Sequence, residues 1–189
     1  MFFLDKLNTP GEHPLLLKGA VGQLEAVLTV PATVSICHVA FLGHPHSLQG
    51  GSMNNKVVTT LARTFKELGI PALRFNFRGV GKSEGVYDEG FGESLDMVEL
   101  VRMWQKEQPD VQCLFAGFSF GSYVAYRAAM LSQAQLLITV APPVHHYNYH
   151  EFNSDTLPWL IIQGDEDEVV PFELVKEFAE YHNPPLPFI

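Results

Sequence analysis

The hydrophobic positions of this chain fall into two alternating patterns, which predict β-strands and α-helices in turn. Short apolar or β-branched runs predict strands over residues 15–18, 23–30, 34–42, 71–77, 111–116, 136–140 and 159–163. Segments with helical spacing and suitable start and stop residues predict helices over residues 56–68, 93–107, 122–130 and 172–181. A hairpin followed by alternating strands and helices indicates an α/β fold, in which a mostly parallel sheet carries helices on both faces as a three-layer sandwich.

One strand–turn–helix segment carries the strongest chemical signal. A short apolar strand is followed by Gly117-Phe118-Ser119-Phe120-Gly121 and then by a helix. Gly-x-Ser-x-Gly in this position is the nucleophile-elbow pattern, in which a sharp turn presents a serine above the sheet edge. The glycines permit the strained backbone, and the helix N-terminus supplies N–H groups for a developing oxyanion. Ser119 is therefore the predicted nucleophile, and the Phe120 N–H is a predicted oxyanion donor.

Composition and charge narrow the class of protein. The chain has 189 residues, of which 47% are hydrophobic and 17% charged, as expected for a single domain over residues 1–189. A formal net charge of −9 argues against nucleic acid or an acidic membrane as a partner. Asp5 and Lys6 interrupt the apolar N-terminus, so no signal peptide is predicted, and no apolar run is long enough to span a membrane. Cys37 and Cys113 fall in predicted strands and are expected to be buried and unpaired, as in the reducing cytoplasm.

The loops at the carboxyl ends of the predicted strands hold the remaining candidate residues, because in such sheets these loops meet at one edge. The segment Gly79–Ser83 contains Gly-Lys-Ser, but a phosphate-binding loop requires a glycine where Asn76 stands. Nucleotide binding is therefore disfavoured, and Arg78 is expected to anchor this loop. In the long loop after residue 140, neither Cys nor paired carboxylates support a metal site, and His145 and Tyr147 are expected to line a substrate pocket.

Taken in order, four motifs resemble those of the α/β-hydrolase superfamily, and most closely its small, lid-poor hydrolases near the dienelactone hydrolases and esterases. The motifs are His44-Pro45-His46 with Gly50-Gly51 and Asn54-Asn55, residues 77–85 (FRGVGKSEG), the turn at residues 117–121, and residues 163–171 (QGDEDEVVP). The resemblance covers nearly the whole chain. It implies an α/β-hydrolase fold and a serine-dependent hydrolysis that needs no metal or organic cofactor.

The resemblance also implies which residue is the acid of a Ser-His-Asp triad. Asp167 lies three residues after Gly164 and matches the family's Gly-x-x-Asp pattern. Its role would be to orient the histidine base and to stabilise the imidazolium. An acidic turn that merely caps the following helix fits Asp165, Glu166 or Glu168 better.

The second oxyanion donor is implied to come from the loop that contains His44-Pro45-His46. The family usually has His-Gly-x there, with the last residue donating its backbone N–H. Pro45 replaces the glycine and has no N–H, so the His46 N–H is the expected donor. Two interpretations stay open for the side chains of His44 and His46: they stabilise the loop, or, for His44, the ring lines the substrate pocket.

These observations favour a serine hydrolase that transfers the acyl group of a small-molecule, ester-type substrate to water. The alternative is a non-catalytic member of the superfamily that keeps the fold for binding. The two differ in whether a usable catalytic histidine exists. The sequence does not choose between carboxylester, thioester, lactone and peptide bonds.

The catalytic histidine that the resemblance implies has no match in these residues. The family places it after one further strand beyond Asp167, whereas the chain ends at Ile189, and residues 184–189 predict only the start of that strand. His182 follows the helix over residues 172–181 and is expected to be a solvated loop residue at the opposite edge of the sheet. We therefore expect a C-terminally truncated chain, with the last strand and helix missing or incomplete and with little activity of its own. Its exposed sheet edge predicts pairing into a homo-oligomer.

Overall fold

A computed structural model describes residues 2–182 and 186–189 of the chain. The strands are β1 (Gly11–Lys18), β2 (Gln23–Val30), β3 (His38–Gly43), β4 (Ala72–Phe75), β5 (Gln112–Phe118), β6 (Leu136–Val140) and β7 (Trp159–Ile162). The helices are α1 (Phe2–Leu7), α2 (Lys56–Glu67), α3 (Phe91–Glu107), α4 (Phe120–Leu131) and α5 (Phe172–Tyr181), with a 3-10 turn at Ser47–Gln49. The strands form one seven-stranded sheet in the order β1-β2-β4-β3-β5-β6-β7.

The sheet is mostly parallel, which confirms the predicted α/β architecture. β2 runs antiparallel to β1 and β4, whereas the other neighbouring strands pair in parallel. The β1–β2 hairpin closes through the Gly19 N–H, which donates to the Gly22 carbonyl at 2.7 Å. Parallel strands need long crossovers: α2, α3 and α4 form those from β3 to β6, and the loop of residues 141–158 joins β6 to β7. None of the described helices combines the length and the apolar character that crossing a membrane would require.

The central strands are buried on both faces because helices cover both sides of the sheet. On β3, Val39 and Phe41 pack in the core formed with α3 and α4, while Ala40 and Leu42 pack against α2. The neighbouring strand β5 alternates in the same way. A strand buried on both faces requires a continuous apolar run, which is the pattern that these segments have. The arrangement confirms the three-layer sandwich.

The start of β3 differs from the prediction. Residues 34–37 precede the strand, with a turn at residues 36 and 37, and β3 begins at His38, opposite Gln112, where its partner β5 also begins. The expectation that both cysteines are buried is wrong for Cys37, which is exposed in this turn, one residue before the pairing with β5 begins. Cys113 is buried in β5, and burial raises the pKa of its thiol to about 11.

The tail begins a further strand beside β7, as predicted. The Ile161 N–H donates to the Pro187 carbonyl at 2.9 Å, and the Ile189 N–H donates to the Ile161 carbonyl at 3.0 Å. Residues 184 and 185 of the predicted strand lie outside the described residues. Pairing of two chains through this edge stays a prediction.

A buried ion pair ties the loop after β4 to the N-terminal hairpin. Arg78 Nε donates to Asp96 Oδ2 at 2.8 Å, and Arg78 Nη2 donates to the Gly92 carbonyl at 2.8 Å. Asp96 is fully buried in α3, and its Oδ1 accepts from the Ala20 N–H at 2.8 Å in the β1–β2 turn. Arg78 therefore anchors its loop as predicted, and Asp96 links that loop to the hairpin.

Replacing Asp96 by Asn should lower the free energy of unfolding by about 3 kcal/mol. The reason is that the buried Arg78 charge would keep only the exposed Asp88 carboxylate, 3.8 Å away. Urea denaturation measures the difference. Glu99→Gln is the control, since Glu99 pairs with Arg102 at the surface of the same helix and such a pair contributes about 0.5 kcal/mol. Equal losses in the two variants would contradict the role given to Asp96.

Candidate active site

The predicted nucleophile lies at a sharp turn between β5 and α4. Ser119 adopts φ 53° and ψ −124°, a conformation that residues other than glycine rarely adopt. Such a conformation costs about 1–3 kcal/mol and persists only where the surroundings hold it. Here the Ser119 N–H donates to the Val140 carbonyl at 2.9 Å, at the end of the neighbouring strand β6. The turn therefore has the strained backbone that Gly-x-Ser-x-Gly predicts.

Three glycines allow this turn, because their backbones approach more closely than a Cβ atom permits. A Cβ on Gly117 would lie 2.0 Å from the Gly121 carbonyl oxygen. A Cβ on Gly121 would lie 2.4 Å from the Gly43 carbonyl carbon, and one on Gly43 would lie 2.5 Å from the Gly121 carbonyl oxygen. The start of α4 therefore packs backbone on backbone against the end of β3.

The side chains of Phe120 and His46, the two residues whose N–H groups are the predicted oxyanion donors, lie beside each other. Phe120 is the first residue of α4, so its N–H has no carbonyl acceptor within the helix. The centres of the His46 and Phe120 rings are 5.1 Å apart. His46 Nδ1 accepts from the Leu48 N–H at 3.3 Å, and its Nε2 lies 3.1 Å from Tyr87 Oη. Because Nδ1 accepts, the neutral ring carries its proton on Nε2 and donates it to Tyr87.

The candidate acid Asp167 lies in the loop after β7. Its Oδ1 accepts from the N–H groups of Val169 and Val170, both at 2.9 Å. Gln163 Nε2 lies 3.4 Å from its Oδ2. Asp167 itself therefore holds the acidic turn, a role expected of its neighbours at 165, 166 and 168. These contacts fix the orientation of the carboxylate, as an acid that orients a histidine requires.

The sheet register brings the Ser119 turn and the Asp167 loop to the same edge. Phe118 pairs with Val140, which in turn pairs with Ile162, so β5, β6 and β7 end level. Two strand spacings separate the end of β5 from the end of β7, which is about 10 Å. The loop after β6 begins between them, as the topology predicts.

Comparison with known proteins places this geometry in a family. No protein-family profile matches the chain. An uncharacterized protein of Rickettsia prowazekii (strain Madrid E) is 34% identical over 170 residues, which are 87% of this chain and 71% of that protein. The structure of an alpha-beta serine hydrolase homologue from Coxiella burnetii is 44% identical with a TM-score of 0.89, over 96% of this chain and 87% of that one. The chain belongs to the α/β-hydrolase superfamily. A structure from Xanthomonas campestris, described as an α/β serine hydrolase without a lid, is 38% identical with a TM-score of 0.88, over 96% of this chain and 84% of that one.

In this α/β-hydrolase, aromatic side chains surround the Phe120 ring beside the Ser119 turn. The Tyr87 and Tyr147 rings each lie 5.6 Å from it. Tyr147, a predicted pocket residue, also stacks on Tyr123 with ring centres 4.7 Å apart. Burial and the contact with Tyr87 raise the pKa of Tyr147, so its hydroxyl stays protonated near neutral pH. The sequence does not predict Tyr87 and Tyr123 as residues of this site. Tyr87 lies in a glycine-rich loop and Tyr123 within α4, and no motif marks either position.

The predicted pocket role of His44 is wrong, because this side chain stabilises the loop from beneath. The ring is fully buried and stacks on Phe77 with centres 4.0 Å apart. Its Nδ1 donates to the Pro45 carbonyl at 2.7 Å, and its Nε2 accepts from the Phe77 N–H at 2.9 Å. Both ring nitrogens are therefore occupied by the backbone. Burial lowers the pKa of His44 to about 4, so the ring is neutral near pH 7.

The other histidines do not complete a triad within the part of the chain that the structure describes, where no histidine nitrogen forms a hydrogen bond with Ser119 or Asp167. His145 is exposed, and its ring lies 3.9 Å from that of His146. His182 differs from the expected solvated residue: it is half-buried, and its Nε2 lies 2.9 Å from Ser154 Oγ. Among these same residues, no group of three or more His, Cys, Asp or Glu is arranged to hold a metal ion.

Substituting Gly121 by Ala should lower the free energy of unfolding by about 3 kcal/mol, since overpacking against rigid backbone forces the chain to shift. Gly164→Ala is the matched control, because a Cβ there meets only the Asp167 Cβ, at 4.0 Å. Chemical denaturation of both variants gives the comparison. A Gly121→Ala protein as stable as Gly164→Ala would show that the backbone contact with β3 is not required.

Acid should destabilise this α/β-hydrolase through His44. The folded pKa of about 4 lies below the ordinary value of 6.5, so the unfolded chain binds the proton first as the pH falls. The stabilisation is complete above about pH 6.5 and is lost towards pH 4, which removes about 2.5 kcal/mol between pH 7.5 and 4.5. Urea unfolding at both pH values measures this loss in the free energy of unfolding. The loss should be smaller in His44→Gln than in wild type, whereas in His13→Gln, on β1, it should equal that of wild type. A His44 ring that titrates near its ordinary pKa by NMR would contradict this.

Proposed function

We propose that this α/β-hydrolase is a serine hydrolase that cleaves ester-type acyl bonds of small molecules in the cytoplasm. The observation that carries the proposal is the conformation of Ser119, with φ 53° and ψ −124° at the junction of β5 and α4. A strained serine between a strand and a helix, with glycines on both sides, is typical of a nucleophile elbow.

In the proposed reaction, Ser119 Oγ attacks the acyl carbonyl carbon while a histidine base takes the hydroxyl proton. The carbonyl oxygen becomes negatively charged and accepts hydrogen bonds from the backbone N–H groups of Phe120 and His46. The bond to the leaving alcohol then breaks, and the base returns the proton to that alcohol. Water, activated by the same base, then attacks the acyl–Ser119 ester, the acyl–oxygen bond breaks to release the acid, and the base returns the proton to Ser119 Oγ. Asp167 orients the base and stabilises its charged form.

We assign no residue to the base, because no described histidine forms a hydrogen bond with Ser119 or Asp167. The other groups support the reaction independently. The Phe120 N–H is free of helical hydrogen bonds, and the Asp167 carboxylate is fixed by the Val169 and Val170 N–H groups. The sheet register brings both groups to the same edge of the sheet.

The aromatic cluster supports a small substrate with an apolar acyl part. Tyr87 and Tyr147 present large ring faces next to Phe120, and each carries a hydroxyl at its tip. Sites for small molecules commonly combine such apolar walls with a few polar groups. Carboxylesters, thioesters and lactones share the acyl carbonyl that the mechanism requires, so the proposal covers ester-type bonds as a class.

A fluorophosphonate probe should label Ser119, because among the serines that the structure describes only this one has a positive φ, and it precedes the Phe120 N–H that is free of helical hydrogen bonds. Peptide mapping by mass spectrometry identifies the modified residue. Ser119→Ala should abolish labelling, and in a chain that has the catalytic base it should lower aryl-ester hydrolysis by at least about 10³-fold. Ser132→Ala, at the other end of α4, should keep both.

Labelling that persists in Ser119→Ala would contradict the assignment of the nucleophile. A folded protein that has the catalytic base, yet is never labelled and hydrolyses no ester, would instead favour the alternative, a binding protein built on the same fold.

A further inference from the structure

Two buried hydroxyl groups connect the loop after β6 to the Ser119 turn. Tyr149 Oη lies 2.7 Å from Ser122 Oγ, and Ser122 Oγ donates to the Ser119 carbonyl at 2.6 Å. Tyr149 is 1% exposed and Ser122 is 0% exposed. The proposed reaction uses neither side chain.

The two hydrogen bonds of this pair can have only one direction of donation, from Tyr149 to Ser122 and from Ser122 to the Ser119 carbonyl. A carbonyl oxygen can only accept a hydrogen bond, so the single hydroxyl hydrogen of Ser122 is used in the hydrogen bond to the Ser119 carbonyl. The contact between the two hydroxyl groups then requires Tyr149 to donate to Ser122. Burial raises the pKa of Tyr149 well above its ordinary value, so Tyr149 keeps the proton that it donates.

Four aromatic side chains hold the Tyr149 ring in place. The ring centres of Tyr126 and Tyr123 lie 5.1 Å and 5.5 Å away, on α4. Those of Phe178 and Trp159 lie 5.8 Å and 6.0 Å away, on α5 and β7. A ring enclosed in this way has little freedom, so its hydroxyl reaches Ser122 from a fixed position.

The acceptor of this relay belongs to the same peptide group as the Phe120 N–H. A trans peptide group is planar, so the Ser119 carbonyl and the Phe120 N–H point in opposite directions. The Ser119 carbonyl also accepts from the Ser122 N–H at 2.8 Å. Holding the oxygen with two donors therefore fixes the direction of the N–H on the other side of the peptide. Donors on an amide oxygen also polarise its N–H, which strengthens it as a donor.

We propose that Tyr149 and Ser122 are positioning residues, which aim the Phe120 N–H at the oxyanion that forms during acyl transfer. The inference rests on the proposed function, in which that N–H stabilises the oxyanion. Ser119 has a strained backbone, and rotation of the peptide group between Ser119 and Phe120 would relieve the strain. The same rotation would turn the Phe120 N–H away from the oxyanion. The hydroxyl relay opposes that rotation.

The test uses Tyr149→Phe and Ser122→Ala, with Tyr126→Phe as the matched control. Tyr126 is also fully buried, but its hydroxyl accepts from the Phe152 N–H at 3.1 Å and so contacts the loop backbone and not the Ser119 turn. Two quantities are measured: the second-order rate constant for fluorophosphonate labelling of Ser119, and the amide NMR resonance of Phe120 in the unlabelled protein.

Labelling should be about tenfold slower in Tyr149→Phe and in Ser122→Ala, a part of the loss that removing a whole oxyanion donor causes. The double variant should be no slower than Ser122→Ala, because both changes break one relay. The Phe120 resonance should shift in both variants. Tyr126→Phe should keep the resonance and the labelling rate of wild type, although its thermal midpoint should fall as much as that of Tyr149→Phe.

An unchanged Phe120 resonance in Tyr149→Phe would overturn the inference, whether or not the probe reacts. Slowing of equal size in Tyr126→Phe would overturn it as well, since the loss of any buried hydroxyl would then explain the effect. So would a shifted resonance with an unchanged labelling rate. In a protein that has the catalytic base, a Ser119 that does not react would refute the proposed function instead, and the Phe120 resonance would then decide whether the relay fixes the peptide.

Discussion

The close approach of three glycine backbones is the constraint on which the site depends. No side chain separates Gly121, at the start of α4, from Gly43 at the end of β3. The helix therefore begins directly at the edge of the two central strands, and its first N–H group, that of Phe120, directly follows Ser119. The register of β5, β6 and β7 then places the Asp167 loop along the same edge. A bulkier residue at either glycine would separate helix and sheet and leave the strained serine unsupported.

The sequence predicts the fold well where one physical signal dominates. The bounds of β6 and α5 agree with the prediction, because an apolar run stops at Ala141 and because Pro171 introduces a helix with clear periodicity. The Ser119 turn is predictable since only glycine tolerates its contacts. Residues 34–37 show why the bounds of a strand are harder to predict from an apolar run. An apolar run looks the same whether or not a partner strand lies opposite, and here pairing begins only at His38.

The site is less predictable because its side chains are positioned by distant segments. His44 and His46 stand two residues apart in one motif, yet the first is buried against the Phe77 backbone and the second contacts Tyr87. No local pattern distinguishes them. Asp167 shows a different difficulty, since it is both the candidate acid and the residue that holds its own turn. Sequence reasoning treats those roles as alternatives, whereas one carboxylate has oxygens for both.

The hydrogen bonds around Ser119 also bear on the order in which the chain folds. Its strained backbone is supported by Gly43, by Val140 and, through Ser122, by Tyr149. These residues are far apart in sequence, so several loops must close before the supports exist together. During synthesis, a chain that has not yet left the ribosome as far as residue 149 cannot complete them. The strained conformation of the serine is thus a late product of folding, formed after the centre of the sheet has assembled.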